Sequence, residues 1–375
     1  MKKVKVLHVL HCVGGVEVSL RLITSNLNTE NFENVIVHGT EDVKIGFFDK
    51  TNEKIKEYKI PISREISFFH DIKSIWALFK IIKTEKPNIL HVHSAKGGII
   101  GRFVGRFFGI KVLFTPQAFS YLSEPNGLKK RIFLFIEKVF ANSNSILLAS
   151  SNSELERGIK EVGYKKNKTL LFNNSINSIT LNRPLSIPKT WPDEYICTVG
   201  RPSYQKNIEL MIRVVNEVKK ERNIHLVVMG VGHHSSNLED VKKLINDLDL
   251  TQNVTLIDWT DRENIFQIIS KSKFYISTAR YEGLPYSVIE ALALSKPCIV
   301  SDCDGNRDLI KDGYNGYVIK KENVKDFLQK INILLKDNPL LEQFSENALV
   351  GFKEHYDIKT NILNLEKIYT QLSVK

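Results

Sequence analysis

Strands and helices alternate along this chain from one end to the other, and the pattern starts afresh after a proline-bearing segment. The 375 residues also exceed what a single hydrophobic core usually holds. Together these observations predict an α/β protein of two doubly wound, Rossmann-like domains facing each other across a cleft, each a parallel sheet with helices on both faces.

In the first half, short runs rich in Val, Ile and Leu predict strands at 5–10, 35–39, 89–93, 111–115, 146–150 and 169–172. Helical spacing of apolar residues falls between them, near 16–27, 71–84, 98–108, 128–140 and 153–162. Pro184, Pro188 and Pro192 then break all periodicity, which marks 183–192 as a linker. Strands resume at 195–199, 225–229, 254–257, 274–277, 298–300 and 317–319, again with helices between. Three helices end the chain, and the last, at about 361–372, carries Ile362, Leu363, Leu365, Ile368, Tyr369 and Leu372 at helical spacing. The expected division is a first domain over 1–182, a linker, a second domain over 193–358 and a closing helix over 359–375.

Hydrophobic content of 42% and charged content of 25% are those of a soluble globular protein. No apolar run reaches the ~18 residues of a membrane span, and the N-terminus leads into a strand rather than a signal-peptide core. Cys12, Cys197, Cys298 and Cys303 show no CxxC pair and no His partners at zinc spacing, so they are expected to be reduced, mostly buried thiols of a cytosolic protein. The net charge of +11 is uneven: residues 1–188 hold 28 Lys/Arg against 16 Asp/Glu, and residues 189–375 hold 25 against 26. Nucleic acid, an anionic membrane and a diphosphate-bearing acceptor each fit such a basic half.

Two segments of the second half carry chemistry. Arg280-Tyr281-Glu282-Gly283-Leu284-Pro285-Tyr286-Ser287-Val288-Ile289-Glu290 follows a strand ending near Thr278 and turns into a helix after Pro285. It places Glu282 on the strand-to-helix loop and Glu290 about two turns down the helix. In an open α/β sheet such a loop is where ligands bind, and two carboxylates can accept hydrogen bonds from several sugar hydroxyls. The same spacing also fits an ordinary helix with a solvated Glu at each end. The other segment, Gly200-Arg201-Pro202-Ser203-Tyr204-Gln205-Lys206-Asn207, directly follows the strand at 195–199. A guanidinium and an ammonium beside the free N–H groups of a helix start form a site for a diphosphate.

With both segments present, the chain resembles the family 4 retaining glycosyltransferases of the GT-B fold, of the kind that assemble bacterial polysaccharides. The resemblance runs from the first strand to the last helix. It implies a sugar moved from a nucleotide diphosphate to an acceptor hydroxyl with retention, and a last helix that crosses back onto the first domain. Arg201 and Lys206 would stabilise the leaving diphosphate, Glu282 would hold the sugar, and Glu290 the ribose hydroxyls. Attack by the acceptor from the face the diphosphate leaves, with a phosphate oxygen as base, is likewise implied by the family.

Gly14 and Gly15, in His11-Cys12-Val13-Gly14-Gly15, let backbone approach a ligand after the first strand. A paired glycine at a tight turn is equally a structural device. The resemblance places these two at the donor, together with Gly200, Gly230, Ile257, Trp259, Gly283, Leu284 and Pro285, with Trp259 near the base; plain packing of Trp259 fits as well. The family often has a His after Thr-Pro, where this chain has Gln117; Gln117 keeps hydrogen bonding to a sugar but not proton transfer. Lys96, in His91-Val92-His93-Ser94-Ala95-Lys96, is the other expected acceptor contact. His91 and His93, two apart on a strand, are expected on opposite faces, so no shared metal is expected. Asp302-Cys303-Asp304 resembles a metal-binding Asp-x-Asp, but Arg201 and Lys206 already supply positive charge, and Asp302 is expected to order its loop. No metal and no cofactor are therefore expected, and the donor would be a UDP- or GDP-sugar.

Lys129-Lys130-Arg131 opens an aromatic, mostly apolar helix, and the helix at 70–86 also mixes Trp76 and Phe79 with Lys73, Lys80 and Lys83. Basic residues beside exposed aromatics bind anionic bilayers; a helix buried on the sheet with a solvated first turn is the plainer reading. Peripheral attachment to the inner face of the plasma membrane, with an undecaprenyl-diphosphate-linked saccharide as acceptor in capsule, O-antigen or exopolysaccharide synthesis, follows from the resemblance. A two-domain sugar-nucleotide epimerase would share the fold and the diphosphate site but act on donor alone. A nucleic-acid-binding protein would fit the basic half, yet the chain has no RRM, KH, zinc or helix-turn-helix signature.

Overall fold

The computed structural model describes residues 3–11, 14–40, 45–62, 67–124, 127–232, 235–320 and 322–373. Cys12 and Val13 of the first loop lie outside the described residues. The chain divides into two compact units, one of Met1–Asn177 with Asp357–Lys375 and one of Ser178–Tyr356.

In the first unit the chain runs β1 (Val4–Val9), α1 (Gly15–Thr24), β2 (Phe32–Gly39), β3 (Lys56–Ile60), α2 (Phe68–Glu85), β4 (Ile89–His93), α3 (Ser94–Gly105), β5 (Lys111–Thr115), α4 (Leu128–Ala141), β6 (Ser145–Ala149), α5 (Asn152–Arg157) and β7 (Thr169–Leu171). The seven strands form one parallel sheet in the order β3-β2-β1-β4-β5-β6-β7. Side chains alternate across it. Leu7, Val9, Leu90 and Val92 meet α2, α3 and α4 on one face, while Val6, Ile89 and Leu113 face the other way.

The second unit runs β8 (Ile196–Val199), α6 (Ile208–Lys219), β9 (Leu226–Val231), α7 (Leu238–Asp247), β10 (Val254–Asp258), α8 (Arg262–Lys271), β11 (Tyr275–Ser277), α9 (Tyr286–Ala293), β12 (Cys298–Ser301), α10 (Asn306–Leu309), β13 (Gly316–Ile319), α11 (Val324–Lys336) and α12 (Asn338–His355). Its six strands are parallel in the order β10-β9-β8-β11-β12-β13. The last helix, α13 (Ile358–Ser373), belongs to the first unit. Ile358, Ile362, Leu365, Ile368 and Tyr369 pack there with Val6, Ile89 and Leu113.

Three details differ from the sequence reading. The segment expected as a linker, 183–192, lies inside the second unit, where Ser186 and Arg183 bond to Asn264 and Gln267 of α8. β3 was not expected, because Lys56-Glu57-Tyr58-Lys59-Ile60 is a polar edge strand with only its last residue buried. α9 begins at Tyr286 behind an extended Pro285 (ψ 121°). Glu290 therefore lies just over one turn into the helix rather than two.

Candidate functional site

In the second sheet the chain steps from β8 to β9 on one side and places β11 on the other, so the strand order reverses between β8 and β11. The carboxyl ends at such a reversal leave a crevice where open α/β sheets bind ligands. Both chemistry-bearing segments end there. The Lys206 ammonium donates to Glu282 Oε1 at 2.6 Å, and Gln205 Nε2 donates to Glu282 Oε2 at 3.3 Å. Thr278 Oγ1 donates to the carbonyls of Lys206 and Asn207 at 3.1 and 2.8 Å, and Arg280 N donates to the Gln205 carbonyl at 2.8 Å. These bonds tie the loop after β8 to the loop after β11. Arg201 is half-exposed on the first of these loops and has no hydrogen-bond or ion-pair partner among the described residues.

Glycines let this crevice close in on itself. Gly230, at φ 86°, holds a backbone conformation that side chains resist, and Gly200 N donates to the neighbouring Met229 carbonyl at 2.9 Å. Gly283, Leu284 and Pro285 are backed by Gly305, where a Cβ would overlap the Gly283 carbonyl. Ile257 lies on β10 in register with Met229. Trp259, just past that strand, is 73% exposed and leans its ring edge on Gly232, so it is not core packing.

Glu290 is buried, and its partner is Arg262 from the start of α8. Burial raises the Glu290 pKa, and the Arg262 charge opposes that rise. Sequence reasoning missed Arg262, which lies 28 residues from the carboxylate it meets. Arg307 donates to both Asp302 (2.8 Å) and Asp304, so both carboxylates of the Asp-x-Asp pair face a guanidinium. Cys197, Cys298 and Cys303 are buried free thiols; burial pushes Cys197 up to about 12 and raises Cys298 and Cys303 well above the usual thiol range. They are poor nucleophiles in this state.

In the first unit the reversal falls between β1 and β4. Gly14, at φ 63° and ψ −128°, caps α1 after β1, and Gly15 opens that helix. Lys96, in the first turn of α3, is occupied by Asp71 at 2.7 Å. Gln117 follows β5 with φ 53°, and Ala118 with φ 77°; two consecutive left-handed residues other than glycine are strained and persist only when braced. Glu154 is the brace, accepting from Ala118 N at 2.7 Å. The Gln117 Nε2 amide is buried with no partner.

His91 and His93 do not lie on opposite faces. Side-chain direction alternates with every residue, so positions two apart share a face, and their rings stand 4.0 Å apart. His8 joins them from β1, opposite His91, and ligand atoms of all three lie within 4.8 Å of one another. This trio is the one donor set of metal-holding spacing among the described residues. Five of its six nitrogens are hydrogen-bonded, and the sixth, His93 Nδ1, is buried without a partner. His8 Nε2 donates to Asn34 Oδ1 at 3.1 Å, which leaves His8 Nδ1 to accept from His93 Nε2 at 3.1 Å. His91 pairs with Tyr369 (2.7 Å) and Thr115 (2.9 Å). Burial holds His8 down to about 4 and His91 and His93 well below the usual imidazole range. All three are neutral at pH 7.

Lys129, Lys130 and Arg131 form the first turn of α4, with Lys129 and Arg131 exposed. The solvated part of α4 is not confined to that turn, since Leu128, Ile132, Phe135 and Val139 are all exposed along its length.

A glycosyl transferase 4-like domain model matches residues 14–174, and a glycosyl transferases group 1 model matches residues 186–350. The UDP-Gal:alpha-D-GlcNAc-diphosphoundecaprenol alpha-1,3-galactosyltransferase of Escherichia coli is 25% identical over 339 residues, covering 87% of this chain and 86% of its own. A capsular polysaccharide biosynthesis glycosyltransferase of Staphylococcus aureus, CapM, is 23% identical over 98% of this chain and 97% of its own. Sucrose-phosphate synthase from Thermosynechococcus elongatus shares the fold, with a TM-score of 0.82 at 16% identity over 99% of each chain. The fold, the paired domain matches and the near-full-length relatives place the chain among the glycosyltransferases of the GT-B fold.

Proposed function

We propose that the protein is a retaining, metal-independent glycosyltransferase of family 4. It takes a sugar from a UDP- or GDP-sugar to a hydroxyl of an undecaprenyl-diphosphate-linked saccharide at the inner face of the plasma membrane. The observation that carries the donor half of this reading is the meeting of Lys206 and Glu282 at the strand reversal of the second unit, with an unpaired Arg201 on the same loop. A departing nucleotide diphosphate gains negative charge as the glycosidic bond breaks, and preorganised cations at that point lower the barrier. Lys206 exchanges Glu282 for a phosphate oxygen when donor enters, which frees the Glu282 carboxylate for sugar hydroxyls. Glu290 turns in the same way from Arg262 to the ribose. Gly14 and Gly15 are assigned to the donor, and Gln117, with its unsatisfied amide, to a sugar hydroxyl.

The acceptor half is supported by the two relatives, one named for a diphosphoundecaprenol-linked acceptor and one for capsule synthesis. The test is a screen of UDP-, GDP-, ADP- and dTDP-sugars by thermal stabilisation, since a ligand that binds only the native state raises the melting temperature. The stabilising sugar nucleotide is then incubated with and without undecaprenyl-diphosphate-GlcNAc. Product that forms only with acceptor, in the anomeric configuration of the donor, supports the proposal. Conversion of donor alone to an epimer would replace it with an epimerase.

A further inference from the structure

We infer that the outer surface of the three-helix layer α2–α3–α4 is a docking face for an anionic lipid bilayer. These helices cover one face of the first sheet together: Leu78 and Ile82 of α2, Ile100 and Val104 of α3 and Ala141 of α4 share one core cluster. They are also tied to one another. The ring of Phe79 of α2 meets that of Phe108, in the turn after α3, at a tilt with centroids 4.6 Å apart, and the buried Arg102 of α3 pairs with Glu137 of α4 at 2.8 Å.

The solvent side of this layer is apolar where solubility asks for polarity. On α4, Leu128, Ile132, Phe135 and Val139 recur at i, i+4, i+7 and i+11, a single helical stripe that faces solvent instead of the core. On α2, Phe69, Ile72 and Trp76 are exposed, with Trp76 at 63%. Phe103 and Phe107 stand between the two as an edge-on ring pair 5.4 Å apart. A patch this extensive marks an interaction surface.

Charge identifies the partner. Residues 68–141 contain four carboxylates, and none is exposed: Glu85 and Glu137 are buried, while Asp71 and Glu124 are partly covered. Over the same span Lys73, Lys80, Lys83, Arg106, Lys129, Arg131 and Lys138 are exposed. Cations flanking Trp, Phe and Leu on helices that lie in a plane suit the headgroup layer of an anionic leaflet: the rings and aliphatic stems enter the acyl boundary while the ammonium and guanidinium groups meet phosphates. Nucleic acid would meet the cations but gain nothing from Leu128, Ile132 and Val139. The inference deepens the proposed function, in which the acceptor is lipid-anchored, and rests on it for the place of the bilayer in the reaction.

The test is flotation of the full chain with vesicles of phosphatidylglycerol and phosphatidylcholine, against vesicles of phosphatidylcholine alone, at low and at 0.3 M salt. The expected result is binding to the anionic vesicles, weakened at high salt. The triple variant Trp76→Ser, Phe107→Ser, Phe135→Ser changes only exposed positions and is expected to lose at least tenfold in partitioning. Stabilisation by sugar nucleotide, read separately on the same variant, stays as in the parent, so failure of the donor reading and failure of this one are distinguishable. Equal binding by parent and triple variant, equal binding to neutral vesicles, or self-association abolished by the triple variant without vesicle binding would each overturn the inference.

Discussion

Both units reverse their strand order beside their first strand, β1 against β4 in one and β8 against β11 in the other, but different chemistry stands at the two points. In the second unit the reversal is charged: Lys206 meets Glu282, and Arg262 meets Glu290 near the same strand ends. In the first unit the residues beneath the reversal are the neutral imidazoles of His8, His91 and His93, and glycines stand at the loop above. Net charge runs the opposite way. The first unit holds 30 Lys/Arg against 18 Asp/Glu, and the second 23 against 24. The basic unit therefore carries its excess on outer helices, and the nearly neutral unit concentrates opposed charges in its crevice. The winding supplies the crevice in each case, and the residues at the strand ends decide its chemistry.

The contrast can be broken most forcefully through the first unit's core. Glu137→Ala leaves the Arg102 guanidinium buried without its carboxylate. It should cost roughly 3–5 kcal/mol, the scale for removing one partner of a buried ion pair. Hydrogen exchange should show lost protection in β5 and β6 and unchanged protection in β8 and β11. In the second unit, Arg201→Ala or Lys206→Ala should lower turnover by ~10²–10³, the scale for one charge-stabilising group, with little change in melting temperature. Near-normal turnover in both variants would take this crevice out of the reaction.

Acid should separate the units next. The folded pKa of His8 is held at about 4 by burial, below its unfolded value near 6.5. The unfolded chain therefore takes up the proton first. Stability is unaffected above pH 6.5 and falls as the pH drops from there toward 4, by about 3 kcal/mol from His8 alone. Urea unfolding at pH 7 and pH 5, followed by exchange in β1 and β4, should show this loss, and His8→Gln should flatten it. The smallest expected effect is none at all: transfer activity should survive EDTA. Activity lost in EDTA and restored by Mg²⁺ or Mn²⁺ would overturn the metal-free reading and send attention to Asp302 and Asp304 or to the histidine trio.

Much of this molecule was legible in its residues because parallel strands covered on both faces are continuous apolar runs. β4, β5 and β12 show themselves in that way, and Pro285 announces α9. β3 did not, since two lysines and a glutamate suit an edge strand that only its neighbour β2 identifies. Glu282 and Lys206 could be named from their segments, but their contact depends on β8 and β11 lying side by side, which no local pattern encodes. Arg262 with Glu290 and Asp71 with Lys96 escaped for the same reason. His91 and His93 were misread by a step of register, since strand alternation counted correctly puts them together; His8 joins them only through the pairing of β1 with β4.

The return of α13 to the first unit also sets an order of assembly. The second unit is one uninterrupted run, Ser178–Tyr356, whereas the first is made of two pieces separated by all of the second. On the ribosome, the sheet face bearing Val6, Ile89 and Leu113 is translated early, yet Leu365, Ile368 and Tyr369 that cover it arrive last. During that interval the nascent chain presents an uncovered apolar face and an His91 still without its Tyr369 partner. The second unit is thus able to mature while the first waits, and a ribosome stalled before residue 358 would hold a nascent chain dependent on chaperones.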